Sequence, residues 1–228
     1  MMASVYSSNM KVEIMKIAII DYDMGNVRSI ENAIKHVGDY EIQVTSDPSV
    51  IKSSNCIILP GVGAFPDAMK KLREKQLIDV LTDEVTSNKK PVLGICLGMQ
   101  LLFESSEEIE FTVGLGWIPG KVEYMTPGQN LRVPHVGWNS LILKKEQSFF
   151  DYLNEDKNFY FVHSLWVNCP EEYKLSTFEY GVEMTAAVQK DNVVGMQFHP
   201  EKSQKNGLAA MKSFLDWAQM QQQGINNA

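Results

Sequence analysis

The sequence is short of cysteine and of histidine. Its three cysteines, Cys56, Cys96 and Cys169, lie far apart and form no CxxC pair, which excludes a disulfide framework and a zinc site of the usual spacing. Isolated reduced thiols are typical of cytosolic proteins. We therefore expect a cytoplasmic protein without a metal site.

Positive charge is also in short supply. Lysine and arginine total 21 against 28 aspartate and glutamate residues, so the formal net charge is -7. Most of such a surface would repel a polyanion, and this balance argues against nucleic acid and against an anionic membrane surface as partners. Small molecules and other proteins remain as binding partners.

Long apolar runs are absent, and none approaches the ~20 residues of a membrane-spanning helix. Glu13 interrupts the only N-terminal stretch that resembles a signal peptide. With 228 residues, of which 44% are hydrophobic, the chain can bury a full core. We expect an N-terminal extension at 1–15, one domain at 16–221 and a polar tail at 222–228.

Strands and helices alternate in the first hundred residues. Strands are predicted for KIAII, EIQVTS, CIILPG and PVLGIC, with helical patterns between them, the longest from 65 to about 88. The continuous apolar character of PVLGIC is typical of a central strand that is covered on both faces. This alternation predicts an α/β fold with a doubly wound, mostly parallel central sheet flanked by helices.

The pattern changes after about residue 108. Glycine and proline in GLGWIPG, TPGQN and VPHVGWN separate short runs such as SLILK, NFYFVHSLWV and EMTAAVQ. Residues 190–192 are typical of a hairpin turn into NVVGMQF, and a last helix is predicted at about 207–221. The second half therefore predicts an additional, smaller antiparallel sheet.

A candidate nucleophile lies in the segment GICLG. Gly94 and Gly98 flank Cys96 at two residues on either side, which is the pattern of a sharp strand-to-helix turn that presents a nucleophile. A thiol at a helix N-terminus is favoured in its thiolate form, the reactive one. Cys56 and Cys169 lack such glycines, and we expect them to be buried structural residues.

A cysteine nucleophile needs a base, and His199 is the best candidate among four histidines. Glu201 follows it by two residues, so both side chains point to the same side of an extended segment, and the carboxylate can accept from Nδ1 while Nε2 faces the sulfur. His36 is expected to be solvated on a helix. His135 and His163 stand near aromatic residues, where a structural, hydrogen-bonded role is expected.

Acyl transfer also requires donors for an oxyanion. The turn itself offers the N–H of Leu97. A second donor is expected from the loop Gly61, Val62 and Gly63, which follows the strand CIIL and whose glycines allow close approach to a substrate. The alternative interpretation of this loop is a tight turn without a catalytic role.

The motifs DYDMGN, PGVGAFPDAM, GICLGMQLLFESSEE, GLGWIPG, PHVGWN, FVHS and FHPEKS follow one another along the chain. In this order they resemble the class I, triad-type glutamine amidotransferases and, within that family, the glutaminase subunits of imidazole glycerol phosphate synthases. The resemblance extends from Lys16 to the final helix, so it identifies 16–221 as a glutamine amidotransferase domain.

The resemblance implies a reaction, a partner and a set of site residues. L-glutamine is hydrolysed through a cysteine thioester without a cofactor, and the ammonia passes to a (β/α)₈ cyclase subunit in histidine biosynthesis. The implied glutamine-binding and oxyanion residues are Gly61, Val62, Gly63, Leu97, Gln100, His163 and Ser164. The residues implied to face the partner are Asn26, Trp138, Tyr160 and Lys202.

The resemblance also implies low activity until the partner binds, with a backbone rearrangement at 61–63 as the switch. Two features depart from the family: Leu165 follows His-Ser, where a tyrosine is usual, and an extension precedes Lys16. Three alternatives remain open at this point, namely a paralogue that supplies ammonia to a sugar-modifying amidotransferase, a γ-glutamyl cysteine hydrolase, and a subunit that binds without catalysis. Core packing is the alternative role for Trp138 and Tyr160.

Overall fold

A computed structural model describes residues 14–128, 131–144, 150 and 157–226. Residues 1–13 of the predicted extension and 227–228 of the predicted tail lie outside this part of the chain. The elements of the first half are β1 (Lys16–Ile20), α1 (Val27–Val37), β2 (Glu41–Thr45), α2 (Pro48–Ser53), β3 (Cys56–Leu59), α3 (Phe65–Glu74), α4 (Leu77–Thr82), a π-helical turn (Asp83–Ser87), β4 (Val92–Ile95) and α5 (Leu97–Gln100).

Strands dominate the second half. Its elements are β5 (Ser105–Ser106), β6 (Thr112–Val113), β7 (Lys121–Tyr124), β8 (His135–Ser140), β9 (Ile142–Leu143), β10 (Asn158–His163), β11 (Leu165–Asn168), a 3₁₀ turn (Glu171–Tyr173), β12 (Lys174–Tyr180), β13 (Val182–Lys190), β14 (Val193–Met196), a second 3₁₀ turn (Pro200–Lys202) and α6 (Gln204–Asn226).

The central sheet has eight strands in the order β2-β1-β3-β4-β14-β13-β12-β9. The ladders from β2 to β14 are parallel, and those that join β14, β13, β12 and β9 are antiparallel. The predicted α/β fold with a mostly parallel central sheet is confirmed. Strand β14 is inserted beside β4, although about a hundred residues separate the two along the chain.

Helices cover both faces of this sheet because each central strand is apolar on both sides. In β1, Ile17 and Ile19 join a cluster that includes α1 and α6, whereas Ala18 and Ile20 join a cluster that includes α2, α3 and α4. All four side chains are buried, with exposed fractions of 1% or less. This two-sided burial explains the continuous apolar runs of the sequence.

Two smaller sheets accompany the central one. Strands β10 and β8 form an antiparallel ribbon, and the second sheet has the order β11-β7-β5-β6, in which β5 pairs with β7 in parallel. The run NFYFVHSLWV, expected to contain antiparallel strands, contributes β10 to one sheet and β11 to the other, with Ser164 between them. The motif VPHVGWN, interpreted as a break, contains most of β8.

The predicted helix at 65–88 is wrong in its continuity. Helix α3 ends at Glu74, and Gln76 adopts φ of 55° in the left-handed region, so α4 begins on a new axis. A π-helical turn follows, in which the N–H of Asn88 donates to the carbonyl of Asp83 at 3.1 Å. Apolar spacing persists across such breaks, and for this reason the pattern resembles one helix.

The helix after the candidate nucleophile is also shorter than the sequence indicates. Helix α5 comprises four residues, and the carbonyls of Leu101, Leu102 and Phe103 accept hydrogen bonds from the N–H groups of 115–118. This loop therefore takes the acceptors that a longer helix would use. The tertiary contacts override a helical pattern in MQLLFES.

Both ends of the chain depart from the predicted boundaries. Helix α6 runs from Gln204 to Asn226, which extends the predicted helix into the segment expected to be a polar tail. Met15, the last residue of the predicted extension, is 5% exposed and its carbonyl accepts from the N–H of Glu41 at 3.0 Å. Met15 thus packs with the domain. Among the described helices none is long and apolar enough to cross a membrane.

Candidate functional site

Cys96 occupies a sharp turn between β4 and α5. Its φ and ψ angles are 55° and -113°, a conformation that a residue with a side chain rarely adopts. A Cβ at Gly94 would lie 2.6 Å from the carbonyl oxygen of Gly98, and a Cβ at Gly98 would lie 1.9 Å from the carbonyl oxygen of Leu59. The two glycines of GICLG are therefore sterically required, as the sequence pattern predicts.

His199 reaches the same end of the sheet from the neighbouring strand. The N–H of Cys96 donates to the carbonyl of Met196 at 2.8 Å, so the ends of β4 and β14 are held side by side. The chain continues through Phe198 to His199, and the 3₁₀ turn that follows contains Glu201. Adjacent parallel strands thus bring together residues that are distant in the sequence.

The His199 ring is oriented by Glu201. Nδ1 lies 2.8 Å from Oε1 of the carboxylate, and both side chains are buried, with exposed fractions of 2% and 1%. The predicted pairing of Glu201 with Nδ1 matches this geometry. The Nε2 atom is buried and has no oxygen or nitrogen partner among the described residues, which leaves it to interact with the sulfur of Cys96.

The charge of the His199 ring reflects opposing influences. Burial lowers the pKa of His199, but the neighbouring Cys96 thiol and the Glu201 carboxylate outweigh it and raise the pKa to about 9. The imidazolium form therefore predominates at neutral pH. An imidazolium beside a sulfur favours the thiolate, which is the nucleophilic form.

A cavity of about 350 Å³ opens at Cys96 and His199. Nine of the residues predicted to form the functional site line it: Val62, Gly63, Cys96, Leu97, Gln100, His163, Ser164, His199 and Lys202. The remaining wall is formed by Glu108, Pro134, Val162 and Leu165. The volume is in the range of small-molecule sites.

The predicted oxyanion loop lies against the turn. A Cβ at Gly61 would be 2.7 Å from the backbone nitrogen of Gly98 and 2.9 Å from Cβ of Leu97, so only glycine permits this approach. Gly63 has φ of +110°, in the region that favours glycine. Gly61 packs behind the cavity wall, whereas Val62 and Gly63 line it. The loop is thus close to Cys96, and its donor role stays a prediction.

Gln100 lines the cavity with an amide that is largely committed to the protein. Its Nε2 donates to the carbonyl of Leu165 at 3.2 Å and to Oε1 of Gln197 at 3.0 Å. Gln197 in turn places its own Nε2 3.8 Å from Sγ of Cys96. Gln100 therefore positions the residues around the sulfur, and mainly its Oε1 remains for a ligand.

His163 and His135 form a buried pair beside the cavity. Nδ1 of His163 lies 2.7 Å from the carbonyl of Leu165, and its Nε2 lies 3.3 Å from Nδ1 of His135. Burial lowers the pKa of His163 to about 4, so the ring is neutral and donates from Nδ1 to the carbonyl. The expected structural, hydrogen-bonded role of both histidines is consistent with this arrangement.

The residues predicted to face a partner lie on β8, on β10, in the 3₁₀ turn after His199 and at the start of α1. Trp138 is 48% exposed, its ring centroid is 6.0 Å from that of Tyr160, and Nζ of Lys202 lies 5.9 Å from the Tyr160 ring centroid. Core packing is therefore not the role of Trp138. Asn26 lies at the exposed start of α1, where its side chain accepts from the N–H of Ser29 at 3.4 Å, and α1 packs against the 3₁₀ turn that contains Lys202.

Three residues near the site were missed by the sequence analysis. Glu108 lines the cavity and accepts from the N–H of Phe65 at 2.6 Å, and Gln197 contacts the sulfur. Tyr22 is fully buried and its hydroxyl donates to the carbonyl of Pro60 at 2.6 Å. The sequence signal that could have found them is their position in or beside a motif. Gln197 precedes FHPE, Tyr22 belongs to DYDMGN, and Glu108 ends GICLGMQLLFESSEE.

The grouped side chains have the composition that acyl transfer requires. A cysteine on a strained turn faces a cavity together with a histidine that a carboxylate orients, and a glycine loop borders the sulfur. This is the arrangement of a nucleophile, a general base and its orienting group. Within the described residues no group of three or more potential ligands could hold a metal ion.

Comparison with known proteins agrees with this chemistry. The glutamine amidotransferase class-I family matches residues 18–216. A relative from Vibrio vulnificus (strain YJ016), named imidazole glycerol phosphate synthase subunit HisH 2, is 75% identical over 94% of this chain and 100% of its own length. A second relative, the subunit HisH of Listeria monocytogenes serovar 1/2a, is 46% identical over 88% of this chain and 95% of its own length.

Comparison with solved structures shows the same fold. A crystal structure of a glutamine amidotransferase superimposes with a TM-score of 0.69 over 89% of this chain and 98% of that one, at 19% identity. At this identity the likeness concerns the fold alone, whereas the sequence matches span nearly the whole chain. The chain belongs to the class-I glutamine amidotransferase family and is an enzyme of that family.

Proposed function

We propose that this protein is the glutaminase subunit of an imidazole glycerol phosphate synthase, which hydrolyses L-glutamine to glutamate and ammonia for a cyclase subunit. The observation that carries the proposal is the position of His199, whose Nδ1 is held by Glu201, in the same cavity as the sulfur of Cys96. The relatives named HisH support the choice of pathway.

The first half of the reaction forms a thioester. The sulfur of Cys96 attacks the carboxamide carbon, and the proton of the thiol resides on Nε2 of His199. Negative charge develops on the amide oxygen, where the N–H of Leu97 and the loop at 61–63 would stabilise it. His199 then protonates the leaving nitrogen, ammonia departs, and a γ-glutamyl thioester remains on Cys96.

The second half returns the enzyme to its starting state. Water attacks the thioester carbon while His199 accepts a proton from it, and the collapse of the intermediate releases glutamate and the sulfur. Glu201 keeps the ring in the orientation that serves both halves. Glu108 supplies a carboxylate in the cavity wall that suits the ammonium group of an amino acid.

The partner surface is proposed to include Trp138, Tyr160 and Lys202. An exposed tryptophan next to a tyrosine is typical of the anchors of protein interfaces. Lys202 belongs both to this group and to the cavity wall, so a partner bound here would lie close to the released ammonia. A (β/α)₈ cyclase subunit that takes up ammonia fits this position, with Asn26 as a further contact.

The test combines the purified chain with a (β/α)₈ cyclase subunit and its ribonucleotide substrate. We expect glutamine-dependent formation of the imidazole product and no product with Cys96→Ala unless free ammonia is added. Glutamine-dependent product that persists with Cys96→Ala, or product from free ammonia but none from glutamine with the wild-type chain, would contradict the proposal that this chain is the glutaminase.

The same assay separates the two alternative enzymes. Glutaminase stimulation by a sugar-modifying amidotransferase, but not by the cyclase, would identify the paralogous role that Leu165, Trp166 and the N-terminal extension raise as an alternative. Turnover of γ-glutamyl peptides by the isolated chain would indicate a hydrolase that needs no partner.

A further inference from the structure

Tyr22 joins the end of β1 to the predicted oxyanion loop. Its side chain is fully buried, and its hydroxyl donates to the carbonyl oxygen of Pro60 at 2.6 Å. Pro60 is followed by Gly61, so the hydrogen bond restrains the peptide plane from which the loop begins. Because a peptide unit is planar, fixing the carbonyl of Pro60 also fixes the direction of the N–H of Gly61.

The loop is held between residues 22–25 on one side and the turn that carries Cys96 on the other. On one side, a Cβ at Gly61 would lie 2.7 Å from the hydroxyl of Tyr22, and a Cβ at Gly25 would lie 3.1 Å from the ring atoms of Pro60. On the other side, Gly61 approaches the backbone nitrogen of Gly98 in the turn that carries Cys96. Residues 22–25 therefore act as the outer support of the loop.

The Tyr22 hydroxyl is a permanent donor. Burial, and to a smaller extent the neighbouring Cys96 sulfur, raise the pKa of Tyr22 far above its ordinary value. The phenol therefore keeps its proton through the working pH range of the enzyme. Its proximity to the sulfur also places the hydroxyl near the reacting centre without lining the cavity.

We propose that Tyr22 is a positioning residue of the glutaminase reaction, which fixes the Pro60–Gly61 peptide so that the loop presents its N–H groups to the developing oxyanion. The inference rests on the proposed function, since it assigns the loop at 61–63 a role in hydrolysis. Tyr22 acts through the backbone of the loop, and it neither donates to glutamine nor transfers a proton.

The test is the variant Tyr22→Phe, which removes one oxygen and keeps the ring in the core. In the complex with the cyclase subunit, kcat for glutamine hydrolysis should fall about tenfold, the scale of one hydrogen bond, whereas KM should change less than twofold. A larger effect on kcat than on KM is expected because oxyanion donors act on the transition state more than on bound substrate. The rate of Cys96 alkylation by iodoacetamide, followed against pH, should be unchanged.

Tyr173→Phe is the matched control. It removes a hydroxyl that bonds to Glu172. The Tyr173 ring lies under Lys190, at the end of the central sheet where β4 begins, whereas Cys96 follows the other end of that strand. This variant should keep kcat within twofold, and thermal melting should show that both variants are folded.

The outcomes separate this inference from the proposed function. If Tyr22→Phe retains the wild-type kcat, or if the alkylation profile shifts enough to account for the loss, the positioning role is wrong. If the wild-type complex itself fails to hydrolyse glutamine, the proposed function fails, and the positioning role that rests on it fails with it.

Discussion

The two walls of the cavity are built in different ways. The elbow wall, formed by Leu59–Gly63 and Gly94–Gly98, consists of backbone packed directly on backbone, with contacts that exclude any Cβ at Gly61 or Gly98. The ribbon wall, formed by Val162 and His163 of β10, belongs to the two-stranded ribbon of β8 and β10, whose outer face is exposed, including Val136 at 57% and Trp138 at 48%.

In the proposed function, the elbow wall serves the chemistry and the ribbon wall serves recognition of the partner. A backbone-built wall tolerates almost no change, because its atoms have no alternative positions in a close-packed interior. An exposed ribbon offers side chains that a second protein can bury. Changes in the elbow wall should therefore abolish hydrolysis, whereas changes on the ribbon wall should weaken communication with the partner.

The largest effect is expected for Cys96→Ala. Without the nucleophile, glutamine hydrolysis should fall by at least about 10⁴-fold, while binding of the partner subunit should remain. Steady-state ammonia release and a binding titration measure the two quantities. Cys169→Ala, which removes a buried free thiol outside the cavity lining, serves as the control. Continued hydrolysis by Cys96→Ala would show that another group is the nucleophile.

Gly98→Ala tests the elbow wall itself. The added Cβ would meet the carbonyl of Leu59 at 1.9 Å, so the turn must shift. We expect activity to fall on the order of 10²- to 10³-fold and the free energy of unfolding, measured with urea, to fall by about 3 kcal/mol.

Gly224→Ala is the control for Gly98→Ala. Its new Cβ has no atom within 4 Å and lies in α6, so urea unfolding should show this variant to be as stable as the wild type or slightly more stable. Equal behaviour of the two variants would contradict the steric argument.

Glu201→Gln should reduce kcat roughly 10- to 100-fold and change its pH dependence. Activity of the wild type should decline as pH rises through about 9, because His199 then loses the proton that it gives to the departing ammonia. In the variant, burial lowers the pKa of His199 without an opposing carboxylate, so the decline of activity should move to lower pH. The pH profile of kcat measures the shift, with Glu179→Gln as an exposed-acid control. A decline at the same pH in both proteins would mean that the Glu201 carboxylate does not set the pKa of His199.

The smallest effect on chemistry is expected on the ribbon wall. Trp138→Ala should raise the Kd for the cyclase subunit about tenfold or more, as the loss of an exposed aromatic anchor does. Tyr124→Ala on β7 provides the matched control, because its exposure of 52% is close to that of Trp138. Isothermal titration measures both. An equal loss of affinity in the two variants would refute the assignment of the partner surface to the ribbon.

The same two walls show what could be predicted from the sequence. The elbow wall was predicted residue by residue, because the tight turn demands glycine at 94 and 98, and the structure places both in contacts that admit no Cβ. The parallel part of the central sheet was predicted for a similar reason, since burial on both faces leaves continuous apolar runs.

The ribbon wall was harder to predict. Strand β8 has the burial pattern of a strand with one exposed face, but glycine and proline within and before it resemble a break. Contacts such as those of Gln197 with Cys96 and of Tyr22 with Pro60 join residues that are distant along the chain, and no local pattern encodes them. The short α5 likewise depends on hydrogen bonds from residues 115–118.

The insertion of β14 between β4 and β13 has a consequence for how the protein is made. Cys96 is synthesised early, but the partner of its strand emerges from the ribosome about a hundred residues later, and His199 follows only then. A nascent chain therefore carries a potential nucleophile without its base for nearly half of its synthesis. Pairing of β14 with β4 at the centre of the sheet is therefore the folding step that unites nucleophile and base, and it can occur only late in synthesis.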